Sequence, residues 1–329
     1  MPRLSVRIAG LIIAVAAQLI LPPEARAQST AGAWPQRNVR LILPFGAGSG
    51  ADIAARLLSE RLQSKWKQAI VVENRPGGDA LLSIGAFVSA KDDHVLFWGP
   101  TSVYLVHPYR HANLPYDPDS DLVPVVQIAK TQVVIGVPAA MPVSSLKDFV
   151  AHVKANAGKL NYATTPGFSE FVFDGFLKEN DLLMSKVPYR DIVQAPVDLA
   201  ENRLQALMQA HAVILPQVQA KRVKLLGIAD TQRSTLDPDV PSVHEAGFPS
   251  LESIALLGAY GPKGMPLELR KRIAEDITAE LNDPAVDTRL RASGNVPAPG
   301  GPEELAKSVA RQKAQVAGIA KVLGVSKLK

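Results

Sequence analysis

Residues Asn38 to Asp52 read NVRLILPFGAGSGAD, and the fold turns on this stretch. Val39 to Phe45 is an apolar run of strand length. Gly46, Gly48 and Gly50 follow as a loop of small residues. Asp52, a natural N-cap, then opens an amphipathic segment with Ile53, Leu57, Leu58, Leu62 and Trp66 on one helical face. A glycine loop that carries a strand into a helix leaves backbone N–H groups unpaired at the positive end of the helix dipole. That is a seat for an anion.

Working outward, residues 1–27 read as a secretory signal peptide. Arg3 and Arg7 form a positive n-region, Ile8 to Leu21 an apolar core, and Ala25-Arg26-Ala27 a cleavage site before Gln28. A membrane anchor is the weaker reading, because a spanning helix needs about 20 apolar residues. There is no cysteine, which excludes lipidation at cysteine, disulfides and thiolate chemistry. The leader holds three basic residues and one acidic one, so its loss takes the formal net charge from +5 to +3. No basic tract marks a nucleic-acid surface. Removing 27 of 329 residues leaves a chain beyond the size at which single cores stop growing, roughly 250–300 residues, and two lobes are expected.

Apolar runs alternate with amphipathic segments, the pattern of βαβ units and mostly parallel sheets. Strands are expected at 69–73 and 94–98, a helix at 81–90, and surface loop over the proline-rich 107–121. Val123 to Val137 and Ile254 to Tyr260 read as strands linking the lobes. Between them the pattern predicts helix 144–155, strand 160–163, loop 164–169, a helix to Glu179, strand 185–189, helix 192–209, strand 211–215 and strand 223–229. Residues 230–250 are turn-rich. Two helices follow Pro266 and Pro302, each with proline in the first turn, and Gly/Pro punctuation at 294–302 separates them.

Gly46-x-Gly48-x-x-Ala51, with Glu73 at the end of the second strand, satisfies the relaxed dinucleotide fingerprint. An exported protein meets no nicotinamide pool, so an ordinary strand–loop–helix junction is the better reading and no cofactor is expected. Ser49 in GAGSGAD is not a G-x-S-x-G nucleophile, and no His–Asp pair can be assigned to it. His107 and His111 have helical i,i+4 spacing, but Pro108 lies between them and the surroundings read as loop, so no metal site is expected. What remains is a passive anion site. Loops 45–52, 74–79, 99–102 and 164–169, with 189–191 nearby, are rich in Gly, Ser and Thr and converge where strands end.

Several stretches carry a family resemblance: WPQRNVRLILPFGAGSGADIAARLL, VVENRPGG at 71–78, NLPYDPDSDLVPV at 113–125, KLNYATTPG at 159–167, VPYR at 187–190, RSTLDPDVPSVHEAGFP at 233–249 and GPKGMP at 261–266. In this order they resemble the extracytoplasmic solute-binding receptors of tripartite tricarboxylate transporters, the Bug family, over nearly the whole mature chain. The resemblance implies a two-lobed α/β periplasmic binding protein with hinge strands between the lobes. Lobe 1 would hold residues 28–130 and 231–329, and lobe 2 residues 131–230. Such a receptor captures a small carboxylate in the periplasm and passes it to membrane permease subunits, without catalysis and as a monomer. A sensor feeding a membrane signalling partner is the alternative, and an exported enzyme using Asp52, Glu170 or His211 a more distant one.

Carried over by position, Phe45, Gly46, Ala47, Gly48, Ser49, Gly50 and Asp52 would form the first anion loop, and Gly77 and Gly78 would contribute the second. Thr101 and Ser102 would line the same lobe. Thr164, Thr165, Gly167, Phe168 and Ser169 would face them, with Tyr189 below and Gln209 after the later strand. The chain departs from the family pattern at Asp79, in the GFSEFVF loop with Glu170, at Asp191, and at Gln209 with His211 nearby. Phe171 and Phe173 are expected in the helix core. An exposed Phe168 would stack on an aromatic or bulky acid.

Overall fold

A computed structural model describes residues 34–101, 105–189 and 192–328. The leader, Ser102 and Asp191 lie outside them. The chain runs β1 (Val39–Leu43), α1 (Gly50–Trp66), β2 (Ile70–Asn74), α2 (Leu81–Ala90), β3 (Val95–Pro100), a turn of helix α3 (His107–Arg110) and β4 (Val123–Thr131). Next come β5 (Val133–Pro138), α4 (Leu146–Ala155), β6 (Asn161–Thr164), α5 (Phe168–Glu179), β7 (Ser185–Lys186), α6 (Ala195–Ala200), β8 (Ala206–Ala210), α7 (His211–Gln219) and β9 (Val223–Ile228). β10 (Ala255–Gly261), α8 (Leu267–Leu281), α9 (Pro284–Ala292), β11 (Asn295–Gly300) and α10 (Pro302–Leu323) follow.

The strands form a six-stranded sheet, β11-β4-β10-β3-β1-β2, and a five-stranded sheet, β7-β6-β8-β5-β9. This is the two-lobed α/β architecture, and both sheets lie in one compact unit, Pro35–Lys329. The expected parallel pairing holds in β2-β1-β3 and β7-β6-β8. β4, β5, β9, β10 and β11 add antiparallel ladders, so each sheet is mixed. The apolar run 123–137 is two strands in different sheets, broken at Gln132, where the chain crosses between lobes. It returns through residues 229–254. α10 reinforces the junction by packing on α5. A Cβ built on Gly175 of α5 would lie 2.8 Å from Ile319 Cγ2, so this helix pair needs glycine there.

Alternation along the inner strands explains their burial. Val133, Ile135 and Val137 of β5 face the large core that holds Phe149, Phe168, Phe173 and Phe176. Val134 faces a smaller cluster with Leu199, Leu207 and Ile214. With apolar side chains on both faces, β5 (VVIGVP) is apolar throughout. Burying each such side chain contributes about 1.5–3 kcal/mol.

Residues 192–219 depart from the sequence reading, because the expected helix 192–209 and strand 211–215 both fail. α6 stops at Ala200, and Asn202 takes a left-handed φ of 59° that turns the chain. Ala206–Ala210 then pairs with β5 and β6 as a strand. The run from His211 is helix α7, with Pro216 inside it. A short apolar run such as HAVIL fits a buried strand and a buried helix equally well. The unexpected strand β11 carries Pro297 and Pro299. It pairs only with β4, at a sheet edge where missing N–H donors are tolerated.

Candidate functional site

The first loop leaves the C-terminal end of β1. Gly46, Ala47 and Gly48 are exposed, and Gly48 has φ +83°, a conformation that favours glycine. Helix α1 begins earlier than expected. Ser49, not Asp52, is its N-cap, its hydroxyl accepting the Asp52 N–H at 3.3 Å. Asp52 is displaced from the cap because Gly50 and Ala51 already have helical geometry, which puts it in the first turn. There its buried carboxylate accepts from Gly48 N–H at 2.8 Å, Asn74 Nδ2 at 3.0 Å and Arg56 Nε at 3.0 Å. Burial pushes its pKa up, but Arg56, the Gly48 N–H and the Asn74 amide outweigh this and hold it below 3.8. Asp52 is thus a clamp within the loop. Helix geometry leaves the N–H groups of Gly50 and Ala51 without intrahelical acceptors.

Asn74, at the end of β2, joins the first two loops. Its amide also donates to the Phe45 carbonyl at 2.9 Å. Gly77 and Gly78 are exposed, with φ of 108° and 58°, and Asp79 and Ala80 continue in left-handed geometry at 53° and 67°. Thr101 is fully buried, its hydroxyl donating to Gln312 Oε1 at 2.5 Å, so it braces β3 against α10 instead of lining a cleft.

In the second sheet, Thr164 ends β6 and is buried, while Thr165 is half-buried with its hydroxyl donating to Gln209 Oε1. The Ala210 N–H donates to the same oxygen at 2.8 Å, which fixes the amide orientation. Among the described residues, Gln209 Nε2 is left buried without a partner. Gly167, φ +98°, is the N-cap position of α5. Phe168 is 2 % exposed and packs in the core, so it cannot stack on a ligand in this conformation. Phe171 and Phe173 are buried in the same core, as expected. Ser169 is buried against Ser253, their hydroxyls 3.1 Å apart. Tyr189 donates to Asp198 at 2.5 Å and packs on the smaller cluster, a tie within lobe 2.

Three residues outside the expected set connect these parts. Asn295 is buried and donates to the Gly50 carbonyl at 3.0 Å, while Thr131 donates to its Oδ1 at 3.0 Å. Next to it, a Cβ on Gly294 would lie 2.6 Å from the Ala212 side chain, so this turn touches both the first loop and the start of α7. Arg110 pairs with Glu170 of α5 and lies 3.6 Å from Asp79, linking the second loop to the facing one. Glu170 also accepts from Lys186 at 3.0 Å. Burial raises its pKa, but Lys186 and Arg110 outweigh this and hold it below 4.5. Glycine and asparagine content could have flagged Asn74. Nothing local marks Asn295 or Arg110.

A groove of about 820 Å³, lined by Arg37, Asp92, Lys263 and Met265 among others, lies where β1 and β3 begin. The anion loops lie at the other ends of those strands, where open α/β sheets bind ligands.

The model of the tripartite tricarboxylate transporter family receptor matches residues 54–325. A UPF0065 protein of Bordetella bronchiseptica is 30% identical over 314 residues, covering 93% of this chain and 92% of that protein. Protein BugT of Bordetella pertussis is 26% identical over 322 residues, 97% of this chain and 98% of its own. Among solved structures, a periplasmic transporter superposes with a TM-score of 0.77 at 29% identity, covering 90% of this chain and 100% of that one. MatC of Rhodopseudomonas palustris with bound malate gives 0.72 at 25%, covering 87% of this chain and 99% of that one. On these matches the chain belongs to the tripartite tricarboxylate transporter receptor family, the solute-binding receptors that its ordered loop motifs resemble.

Proposed function

We propose that this protein works in the periplasm, its leader removed after Ala27, and captures a small carboxylate for the permease subunits of a tripartite tricarboxylate transporter. The ligand binds between lobe 1 (residues 28–130 and 231–329) and lobe 2 (131–230). The first loop carries the reading: the Gly50 and Ala51 N–H groups open α1 beside the Ser49 cap, at the strand-end edge of the sheet. They would take one carboxylate, with Gly46, Ala47 and Gly48 giving close backbone approach and Gly77 and Gly78 closing the far side. From lobe 2, Gln209 Nε2 is a buried donor without a partner among the described residues. The malate bound by MatC, a relative at 25% identity, supports the choice of a small carboxylate.

The protein binds its ligand without transforming it. The acids beside the loops are already engaged by other side chains. Asp52 is held by Arg56 and Asn74, and Glu170 by Arg110 and Lys186. The His211 ring lies 2.8 Å from Asp237. Capture is a shift between open and closed lobes, because only the closed form contacts the ligand from both sides. The test is a thermal-shift screen with malate and other aliphatic and aromatic carboxylates, followed by calorimetry. A ligand at 100 times its dissociation constant adds about 2.7 kcal/mol of stability. Gly48→Val, which distorts the loop, removes the shift. No response to any carboxylate, or equal affinity in Gly48→Val, refutes the assignment.

A further inference from the structure

Beside the second loop, three side chains on two segments place their ligating atoms together. Asp79 Oδ2 is 3.1 Å from His111 Nε2 and 3.7 Å from His107 Nε2, and the three donor atoms lie within 4.8 Å of one another. Sequence alone argued against this pair of histidines because Pro108 separates them. Pro108 instead sits in the first turn of α3, where its missing N–H breaks nothing. The His111 N–H closes the turn on the His107 carbonyl at 2.9 Å. Both rings therefore lie on one side of the turn, 5.2 Å apart and edge to face.

The decisive observation is His107. It is 0 % exposed, and its Nε2, 3.7 Å from Asp79 Oδ2, has no close hydrogen-bond partner among the described residues. Its Nδ1 lies 2.7 Å from the Tyr116 hydroxyl. With Nδ1–H donating to Tyr116, Nε2 keeps its lone pair toward Asp79 and His111, the way an outer partner orients a ligating imidazole. Arg110 is the opposing charge, 3.6 Å from Asp79, but it has Glu170 as a second partner to hold when Asp79 turns to a cation.

We propose that Asp79, His107 and His111 bind one divalent transition-metal ion of the zinc class. Two imidazoles and one carboxylate suit zinc, cobalt, nickel or copper better than calcium or magnesium, which prefer oxygen ligands throughout. Donor separations of 3.1 and 3.7 Å, with the third within 4.8 Å, bracket the roughly 3.4 Å set by tetrahedral bonds of about 2.0–2.2 Å. Three protein ligands leave a fourth position open. In the other histidine–carboxylate cluster, Asp92 is held bidentately by Arg37, at 2.8 and 2.6 Å, and His94 Nε2 accepts the Gln36 N–H at 3.2 Å.

The site is tested without any carboxylate ligand. The purified protein is stripped with a chelator and titrated with Zn²⁺ against a chromophoric competitor, and with Co²⁺ for its visible spectrum. The expected result is one equivalent of Zn²⁺, a four-coordinate cobalt spectrum and a metal-dependent rise in Tm. Because His107 is buried, the more exposed Asp79→Asn and His111→Gln carry the mutational arm, with melts in metal-free buffer checking that each folds. Each should weaken Zn²⁺ binding at least about tenfold, whereas Asp93→Asn leaves it unchanged. Absence of uptake, or uptake by Asp79→Asn and His111→Gln equal to the parent's, overturns the assignment.

Discussion

Replacing Asp52 by alanine tests whether the first two glycine loops are held as one unit. The carboxylate accepts from the Gly48 backbone, the Asn74 amide and the Arg56 guanidinium. The hydrogen bonds to this carboxylate from the Gly48 N–H and the Asn74 amide contribute at least about 1 kcal/mol each. The Arg56 side chain is 53% exposed, so its ion pair adds well under about 1 kcal/mol, and the helix-dipole interaction a few tenths. The expected loss is about 3 kcal/mol, against about 1 kcal/mol for removing the Ser49 cap. The assay is urea unfolding at pH 7 of the parent, Asp52→Ala, Asn74→Ala and the double variant. Because the two residues share a bond, the cycle should close with a coupling of about 1 kcal/mol. The pH dependence carries a sign. The Asp52 pKa is lowered from 3.8 in the folded state, so its contribution is complete above 3.8 and lost as pH falls through the lowered value. Asp52→Asn abolishes that part of the acid transition. A loss no larger than that of Ser49→Ala, with additive energies, would refute the clamp.

Phe168→Ala should cost about 3–5 kcal/mol, as for a core phenylalanine, and leave the preference between aliphatic and aromatic acids unchanged; a changed ligand preference would return Phe168 to the cleft. Gly50→Ala places a methyl 2.9 Å from Asn295 Nδ2 and 3.1 Å from the Ser293 carbonyl. The expected cost is about 1–3 kcal/mol in denaturant, and wild-type stability would show that the turn yields freely. Glu170→Gln breaks pairs to Arg110 and Lys186 that are partly exposed, so the loss should be about 1 kcal/mol at pH 7. Since the Glu170 pKa is lowered from 4.5, that loss disappears as pH falls through its depressed value, and a difference that persists below it would contradict the ion-pair account.

Much of this fold is legible in the sequence because local signals agree with the tertiary result. The strand into Gly46 to Gly50 and the helix to Trp66 follow from periodicity, and Pro302 opens its helix where a first-turn proline belongs. The failures come where tertiary pairing decides. Ala206–Ala210 is a strand because β5 and β6 flank it, and HAVIL is helix because the chain has turned at its edge. β11 carries two prolines that a central strand would reject, and only its edge position permits it. The same division holds at the site. Loop glycines can be read from the chain. Whether Thr101 and Phe168 face a cleft or the core depends on α10 and on core packing from distant segments.

Asp79 and Glu170 show why those distant partners matter to function. Read singly, each places a negative charge near a loop meant for an anion, which would repel a carboxylate over a Debye length of about 10 Å. Arg110 resolves both at once, lying 3.6 Å from Asp79 and paired with Glu170. Lys186 adds a second positive charge to Glu170, at 3.0 Å. The acids and their cations thus come as a set, and Arg110 lies 60 residues from Glu170 in the chain. Held by two acids, Arg110 cannot also clamp the ligand. On the proposed reading, the ligand's charge would fall to neutral donors, the backbone N–H groups that open α1 and the Nε2 of Gln209, which has no partner among the described residues. Such donors suit a small carboxylate held by dipoles, and release is easier from dipoles than from a buried guanidinium pair, whose rupture would leave a desolvated charge behind.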